Sequence, residues 1–105
     1  MSPKDIVNYT IELGAQGISY TYTEPTIFYE FALDTMKIAK EHGLYNVFVT
    51  NGFINEKPLR KLKNLLDAAN VDIKAFDDKF YREVCKAPSY KHAVKTVELM
   101  HKLGI

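Results

Sequence analysis

The reading of the fold turns on Tyr45-Asn46-Val47-Phe48-Val49-Thr50-Asn51-Gly52. Its first six residues are rich in β-branched and aromatic side chains and read as a strand. The Asn-Gly pair that follows is a turn signal. Immediately before the strand, Gly43 closes a helical pattern running from about Thr26 to His42, with Phe28, Phe31, Leu33, Met36, Ile38 and Ala39 as a broad apolar face. After the turn, a third helix starts near the cap candidate Asn55, with Leu59, Leu62, Leu65, Leu66 and Ala69 as its core stripe and Lys57, Arg60 and Lys61 opposite. The strand is therefore bracketed by helices.

The same alternation continues outward. Gly17-Ile18-Ser19-Tyr20-Thr21-Tyr22-Thr23 reads as an earlier strand of period two. Glu24-Pro25 ends it, because the residue before a proline avoids helical geometry. At the N-terminus, Ser2 is a good N-cap, Pro3 suits the first turn, and Asp5 completes a capping box. Ile6, Val7, Thr10 and Leu13 follow at helical spacing, and Gly14 supplies a left-handed stop. Downstream, Val71-Asp72-Ile73-Lys74-Ala75 reads as a third strand. Ser89 caps a last helix with Tyr90, Val94, Val97 and Met100 on one face, and Gly104 stops it.

Four helices alternating with three strands imply parallel strands joined by right-handed crossovers, the α/β class. No linker or composition shift divides residues 1–105, which form a single unit. Three parallel strands leave both sheet edges unpaired, a liability in isolation. A closed barrel of this class needs about 200 residues or more. The expectation is thus a segment of a larger TIM-like barrel; the competing reading is a complete three-stranded domain that pairs its edges with another copy.

Composition excludes several function classes. Of the 105 residues 47% are hydrophobic and 26% charged, and fourteen Lys+Arg against thirteen Asp+Glu leave a net charge of +1. That is the balance of a globular domain, without the basic footprint of a nucleic-acid binder. A single cysteine, Cys85, permits no internal disulfide and no zinc-type spacing. No apolar run reaches the ~18–20 residues of a membrane span, and Met1-Ser2-Pro3-Lys4-Asp5 lacks a signal-peptide layout. The expectation is a cytoplasmic protein with no membrane partner.

Ligands of parallel α/β sheets bind beyond the carboxyl ends of the strands. This sequence puts Thr23-Glu24 at the end of the first strand, Thr50-Asn51 at the end of the second, and Asp72 and Lys74 on the third. Each has an ordinary reading too. Glu24 could cap the next helix, Asp72 and Lys74 could form a structural ion pair, and Asn51-Gly52 could be only a turn. Their concurrence at one end favours a site. Cys85 and the helical His42, His92 and His101 offer neither a nucleophile nor a metal centre. The aromatic cluster Tyr20, Tyr22, Phe28, Tyr29 and Phe31 reads as core.

With those residues in place, Ile18-Ser19-Tyr20-Thr21-Tyr22-Thr23-Glu24-Pro25-Thr26-Ile27-Phe28-Tyr29-Glu30 resembles the second strand and following helix of radical S-adenosylmethionine (SAM) enzymes. The similarity is to the pyruvate formate-lyase activating enzyme-like group, including the AmmeMemoRadiSam-associated type. Val47-Phe48-Val49-Thr50-Asn51-Gly52-Phe53 resembles the third strand of that family, Val71-Asp72-Ile73-Lys74-Ala75-Phe76 its fourth, and Phe80-Tyr81-Arg82 continues the match.

The resemblance implies a partial (β/α)6 barrel holding a [4Fe-4S] cluster on three cysteines spaced CxxxCxxC, with SAM on the cluster's fourth site. It implies reductive cleavage to a 5′-deoxyadenosyl radical and, in activases, hydrogen abstraction from a glycine of a partner enzyme. Glu24 then matches the acid of the family's Gly-Gly-Glu motif, which hydrogen-bonds the cofactor's amino group. Thr50 and Asn51 would lie beside its ribose or methionine moiety, and Asp72 and Lys74 on the pocket floor. Tyr22-Thr23 stand where that motif has its glycines, and CxxxCxxC does not occur. The expectation is the central portion of such an enzyme, a truncation or a split product, that carries part of the SAM pocket, binds neither SAM nor the cluster fully, and is inactive alone. Its partners would be the rest of the barrel or another copy. Two other classes remain: an aldolase-like barrel segment with Lys74 forming a Schiff base beside Asp72, and a non-catalytic oligomerising or partner-completing module.

Overall fold

A computed structural model describes residues 1–105. The elements run α1 (Pro3–Glu12), β1 (Gly17–Tyr20), α2 (Tyr29–Glu41), β2 (Tyr45–Thr50), α3 (Glu56–Lys61), β3 (Ala68–Val71), α4 (Asp78–Glu83) and α5 (Lys91–Leu103). The strands form one parallel sheet in the order β1-β2-β3. The α/β class and the three parallel strands are as expected; the helices number five, because Asp78–Glu83 coils into a short one. The start of α1 follows its sequence signals. Ser2 Oγ accepts from the Asp5 amide at 3.1 Å, and Asp5 Oδ2 accepts from the Ser2 amide at 2.9 Å.

Register divides the sheet into two faces. Ile18 pairs with Asn46, and Tyr20 with Phe48 and Ala69, on one face; Ser19, Val47 and Ala68 align on the other, and so do Val49 and Asn70. The first face carries the core. Tyr20 and Phe48 pack with Ala32 and Met36 of α2, Leu59 of α3, Leu62, Leu66 and Met100 of α5. Val7 of α1 joins Ala39, Leu44 and Ile18 beside it. The second face is covered by none of these helices, and Ser19, Ala68 and Asn70 are exposed on it.

Three segments differ from the sequence reading. β1 stops at Tyr20 rather than Thr23, since the backbone turns away at Tyr22, where φ is +35°. Tight i→i+3 turns from Ile27 to Glu24 and from Phe28 to Pro25 then delay α2 to Tyr29. α3 ends at Lys61, because the chain reverses through Asn64 at φ +70°, a conformation asparagine tolerates. Leu62, Leu65 and Leu66 therefore pack from a turn, and Ala69 lies in β3. The buried face of α5 is Ala93, Thr96 and Met100, with Val97 turned outward.

Under the sheet lies a polar node that hydrophobic patterning does not reveal. Asn46 is fully buried. Its carboxamide accepts from the Tyr20 hydroxyl at 3.0 Å and donates to the carbonyls of Met36 and Leu65 at 3.2 and 2.9 Å. Its backbone amide donates to Asp67 Oδ2 at 2.8 Å, and Asp67 pairs with Lys40. Every polar atom there has a partner, which is what burial demands. Tyr20→Phe removes the hydroxyl and leaves Asn46 Oδ1 unpaired. The expected cost is about 1 kcal/mol in chemical denaturation; an unchanged midpoint would show the bond to be incidental.

Candidate functional site

The carboxyl ends of β1 and β2 are tied together by one side chain. Glu24 lies in the loop after β1, and its carboxylate spans to the end of β2. Oε2 accepts from Thr50 Oγ1 at 2.6 Å, Thr26 Oγ1 at 2.8 Å and the Thr26 amide at 3.2 Å. Oε1 accepts from the Asn51 amide alone, at 2.6 Å. Thr50 is buried, so its hydroxyl is committed to this network; it also accepts from the Gly52 amide at 3.1 Å. Asn51 is exposed, with its Oδ1 accepting from the Phe53 amide.

Burial raises the pKa of Glu24, but the hydrogen bonds from Thr50, Asn51 and Thr26 outweigh it and hold the carboxyl below its ordinary value of 4.5. The group is thus a preformed anion at neutral pH. A depressed folded pKa stabilises the chain above the unfolded value, and this contribution is lost as pH falls through the folded one. Acid titration should show a loss of stability beginning near pH 4.5 and growing below it. Glu24→Gln should lessen that loss, while Asp5 and Asp78, also lowered by hydrogen bonds to Ser2 and Ser89, titrate alike in both proteins. Parallel acid limbs for parent and variant would contradict the assignment.

Gly52 is more than a turn residue. Its φ is +82°, and an added Cβ would lie 2.9 Å from Val71 Cγ1 and 3.1 Å from Ala93 Cβ. The Thr96 hydroxyl of α5 donates to the Gly52 carbonyl at 2.6 Å, and His92 Nε2 faces the Ile54 carbonyl at 3.1 Å while its ring stacks on Phe53. The loop that presents Asn51 is therefore clamped between β3 and α5. Sequence reading overlooked Thr26 and Thr96. Thr26 sits two residues beyond Glu24, a spacing at which a hydroxyl reaches back to a carboxylate; nothing local marks Thr96.

Asp72 and Lys74 occupy different ground from that expected. β3 ends at Val71, and the last ladder bond runs from the Asp72 amide to the Thr50 carbonyl at 2.8 Å. Beyond it β2 has turned off at Asn51-Gly52, so residues 73–75 have no strand to pair with; the Lys74 amide instead donates to the Tyr81 hydroxyl at 2.9 Å. The two side chains form an ion pair about half-exposed, 54% for Asp72 and 51% for Lys74, on the rim rather than a closed floor. The hydrogen bond and charge of Asp72 hold the Lys74 pKa above its ordinary value. Glu24, Thr50 and Asn51 are thus one connected group, with Asp72 adjacent through the backbone.

The sequence matches the radical SAM superfamily over residues 1–105. The chain belongs to the radical SAM superfamily. It is also similar to the uncharacterized protein MJ0808 of Methanocaldococcus jannaschii, with 50% identity over 105 residues. That alignment takes in all of this chain and 30% of the relative, so the chain spans under a third of the length of the curated relative it matches. For a radical SAM chain the three parallel strands are a portion of the (β/α) barrel, and the family's cofactors are SAM and a [4Fe-4S] cluster. Cys85 is the one cysteine among these residues, and it cannot alone ligate such a cluster. The groups present suit the organic cofactor's ammonium instead, since Glu24 is an ionised carboxylate whose Oε1 takes a single hydrogen bond. No helix is long and apolar enough to cross a membrane.

Proposed function

We propose that the rim formed by Glu24, Thr50 and Asn51, flanked by Asp72 and Lys74, is part of the SAM site of an activase-like radical SAM enzyme. The observation that carries this is the asymmetry of the Glu24 carboxylate. Three donors saturate Oε2, whereas Oε1 takes only the Asn51 amide and keeps acceptor capacity for an incoming ammonium. Thr50 acts by orienting the carboxylate, and Asn51 and the exposed Asp72–Lys74 pair are the groups a ligand could reach. Lys74 would meet the carboxylate end of an amino-acid moiety. A [4Fe-4S] cluster, when bound, would supply the electron for SAM cleavage, and its thiolate ligands would come from outside these residues.

The reading extends, by resemblance, to a glycyl-radical protein as substrate of the whole enzyme. The outer edges of β1 and β3 are unpaired in the three-stranded sheet, and further strands of the barrel, or another copy of the chain, would complete them. A Schiff-base role for Lys74 has less support, because a lysine held protonated by Asp72 is a poor nucleophile.

Titrating isotope-labelled chain with SAM should shift the Thr50 and Asn51 amide resonances saturably. Methylthioadenosine, which lacks the amino-acid moiety, should leave them in place. Equal responses to the two compounds would overturn the role of Glu24.

A further inference from the structure

A cleft of about 290 Å³ lies between α3 and α5, with Ile54, Leu59 and Leu99 as its apolar surface. Small-molecule sites begin near this size, at about 300 Å³. Glu24, Thr50 and Asn51 take no part in its lining. Most polar groups along it are already committed. The Thr96 hydroxyl donates to the Gly52 carbonyl at 2.6 Å, and His92 Nε2 faces the Ile54 carbonyl at 3.1 Å. On the α3 side, Arg60 donates to Glu56 Oε1 from Nε at 2.9 Å and from Nη2 at 2.8 Å.

The lysines of α5 differ from these. Lys95 and Lys102 line the cleft, are exposed, and make no ion pair. They stand two helical turns apart, about 10.5 Å along the axis, and so share one side of α5 with Leu99 between them. Glu98 also lines the cleft and balances one of the two ammonium groups, while Glu56 balances Arg60. Among the Lys, Arg and Glu side chains of the cleft, one positive charge is left over.

We infer that this cleft binds a monoanionic aliphatic molecule, an alkyl carboxylate of medium chain length. Its chain lies on Ile54, Leu59 and Leu99, and its carboxylate sits between the Lys95 and Lys102 ammonium groups. Lysine stems are flexible enough for both heads to turn to one anion, and neither breaks an ion pair in doing so. Two alternatives fit less well. Inorganic phosphate would meet the lysines but leave the three apolar residues facing water. A neutral lipid would cover those residues and gain nothing from the two ammonium groups. A single negative charge on an apolar chain uses both features. The site is separate from the SAM rim and goes beyond that reading.

The test is a titration of the isotope-labelled chain with sodium octanoate below its micellar concentration. The amides of Leu59, Thr96 and Leu99 should shift saturably. Acetate, which lacks the chain, and octylammonium, which reverses the charge, should each bind at least fivefold more weakly. Lys95→Met and Lys102→Met should each weaken octanoate binding about threefold or more. Both lysines are exposed, so the variants should keep the fold, read from the dispersion of the other resonances. Absence of saturable shifts, equal binding of octylammonium or acetate, or unaltered binding by both variants would overturn the inference. So would octanoate shifts confined to Ala69 and Val71, which line a different apolar cavity against Met100 and Ile105.

Discussion

Glu24→Ala is expected to destabilise the chain by about 3 kcal/mol and to abolish the SAM response of the Thr50–Asn51 rim. The substitution removes the acceptor of four hydrogen bonds at once. Bonds to a charged group contribute about 1.5–3 kcal/mol each, and an unpaired buried donor costs about 1–3 kcal/mol. Thr50 is the buried donor, so its hydroxyl bears most of the loss. Water can reach Asn51 and the outer part of Glu24, which is why the sum stays near the value for one or two such bonds. Glu24→Gln keeps acceptor capacity but turns an amide N–H2 toward one of the donors, and should cost about half as much. Urea unfolding followed by circular dichroism gives the stability, and the SAM titration gives the ligand response. A Glu24→Ala variant within 0.5 kcal/mol of the parent would mean that the carboxylate is not what joins β1 to β2.

Gly52→Val should be more damaging, at about 4 kcal/mol. Two independent penalties meet there. A β-branched residue at φ +82° is strained whatever surrounds it. Its Cβ would also stand 2.9 Å from Val71 Cγ1 and 3.1 Å from Ala93 Cβ, and overpacking of this kind costs about 1–3 kcal/mol. Gly43→Val is the matched control. Gly43 has φ +71° but no atom within 4 Å of an added Cβ, so it isolates the backbone term, on the order of 1 kcal/mol. Because the Gly52 carbonyl accepts from Thr96 and its amide donates to Thr50, the variant should also displace Asn51 and weaken the rim's SAM response. Similar midpoints for the Gly52 and Gly43 variants would show that β3 and α5 leave more room around the loop than the distances imply.

The parallel α/β class was legible because its signals are local. A strand of β-branched residues followed by a helical apolar face and a left-handed glycine describes itself over ten or so residues, as Tyr45–Thr50 and Ser2–Gly14 show. Glu24, Thr50 and Asn51 were legible as a group for a related reason: parallel strands all point their carboxyl ends the same way. The family likeness added the chemistry.

What local pattern could not decide was where each element stops, since a strand ends when its neighbour leaves. Val71-Asp72-Ile73-Lys74-Ala75 has the composition of a strand throughout, yet pairing ends at Val71 once β2 turns away. Lys74 passes from pocket floor to exposed rim for that reason alone. Leu65, Leu66 and Ala69 fit a helical stripe equally well until the Asn46–Asp67 hydrogen bonds draw the chain into the sheet. The sequence alone determined the class of fold, the parallel direction of its strands and the residue types gathered at one end, all consequences of short-range periodicity and chain direction. Only the tertiary structure decided that one carboxylate bridges two strands, that Gly52 is wedged between Val71 and Ala93, and that one sheet face stays open. Those facts depend on contacts between residues about 19 to 41 positions apart, which no short window along the chain contains.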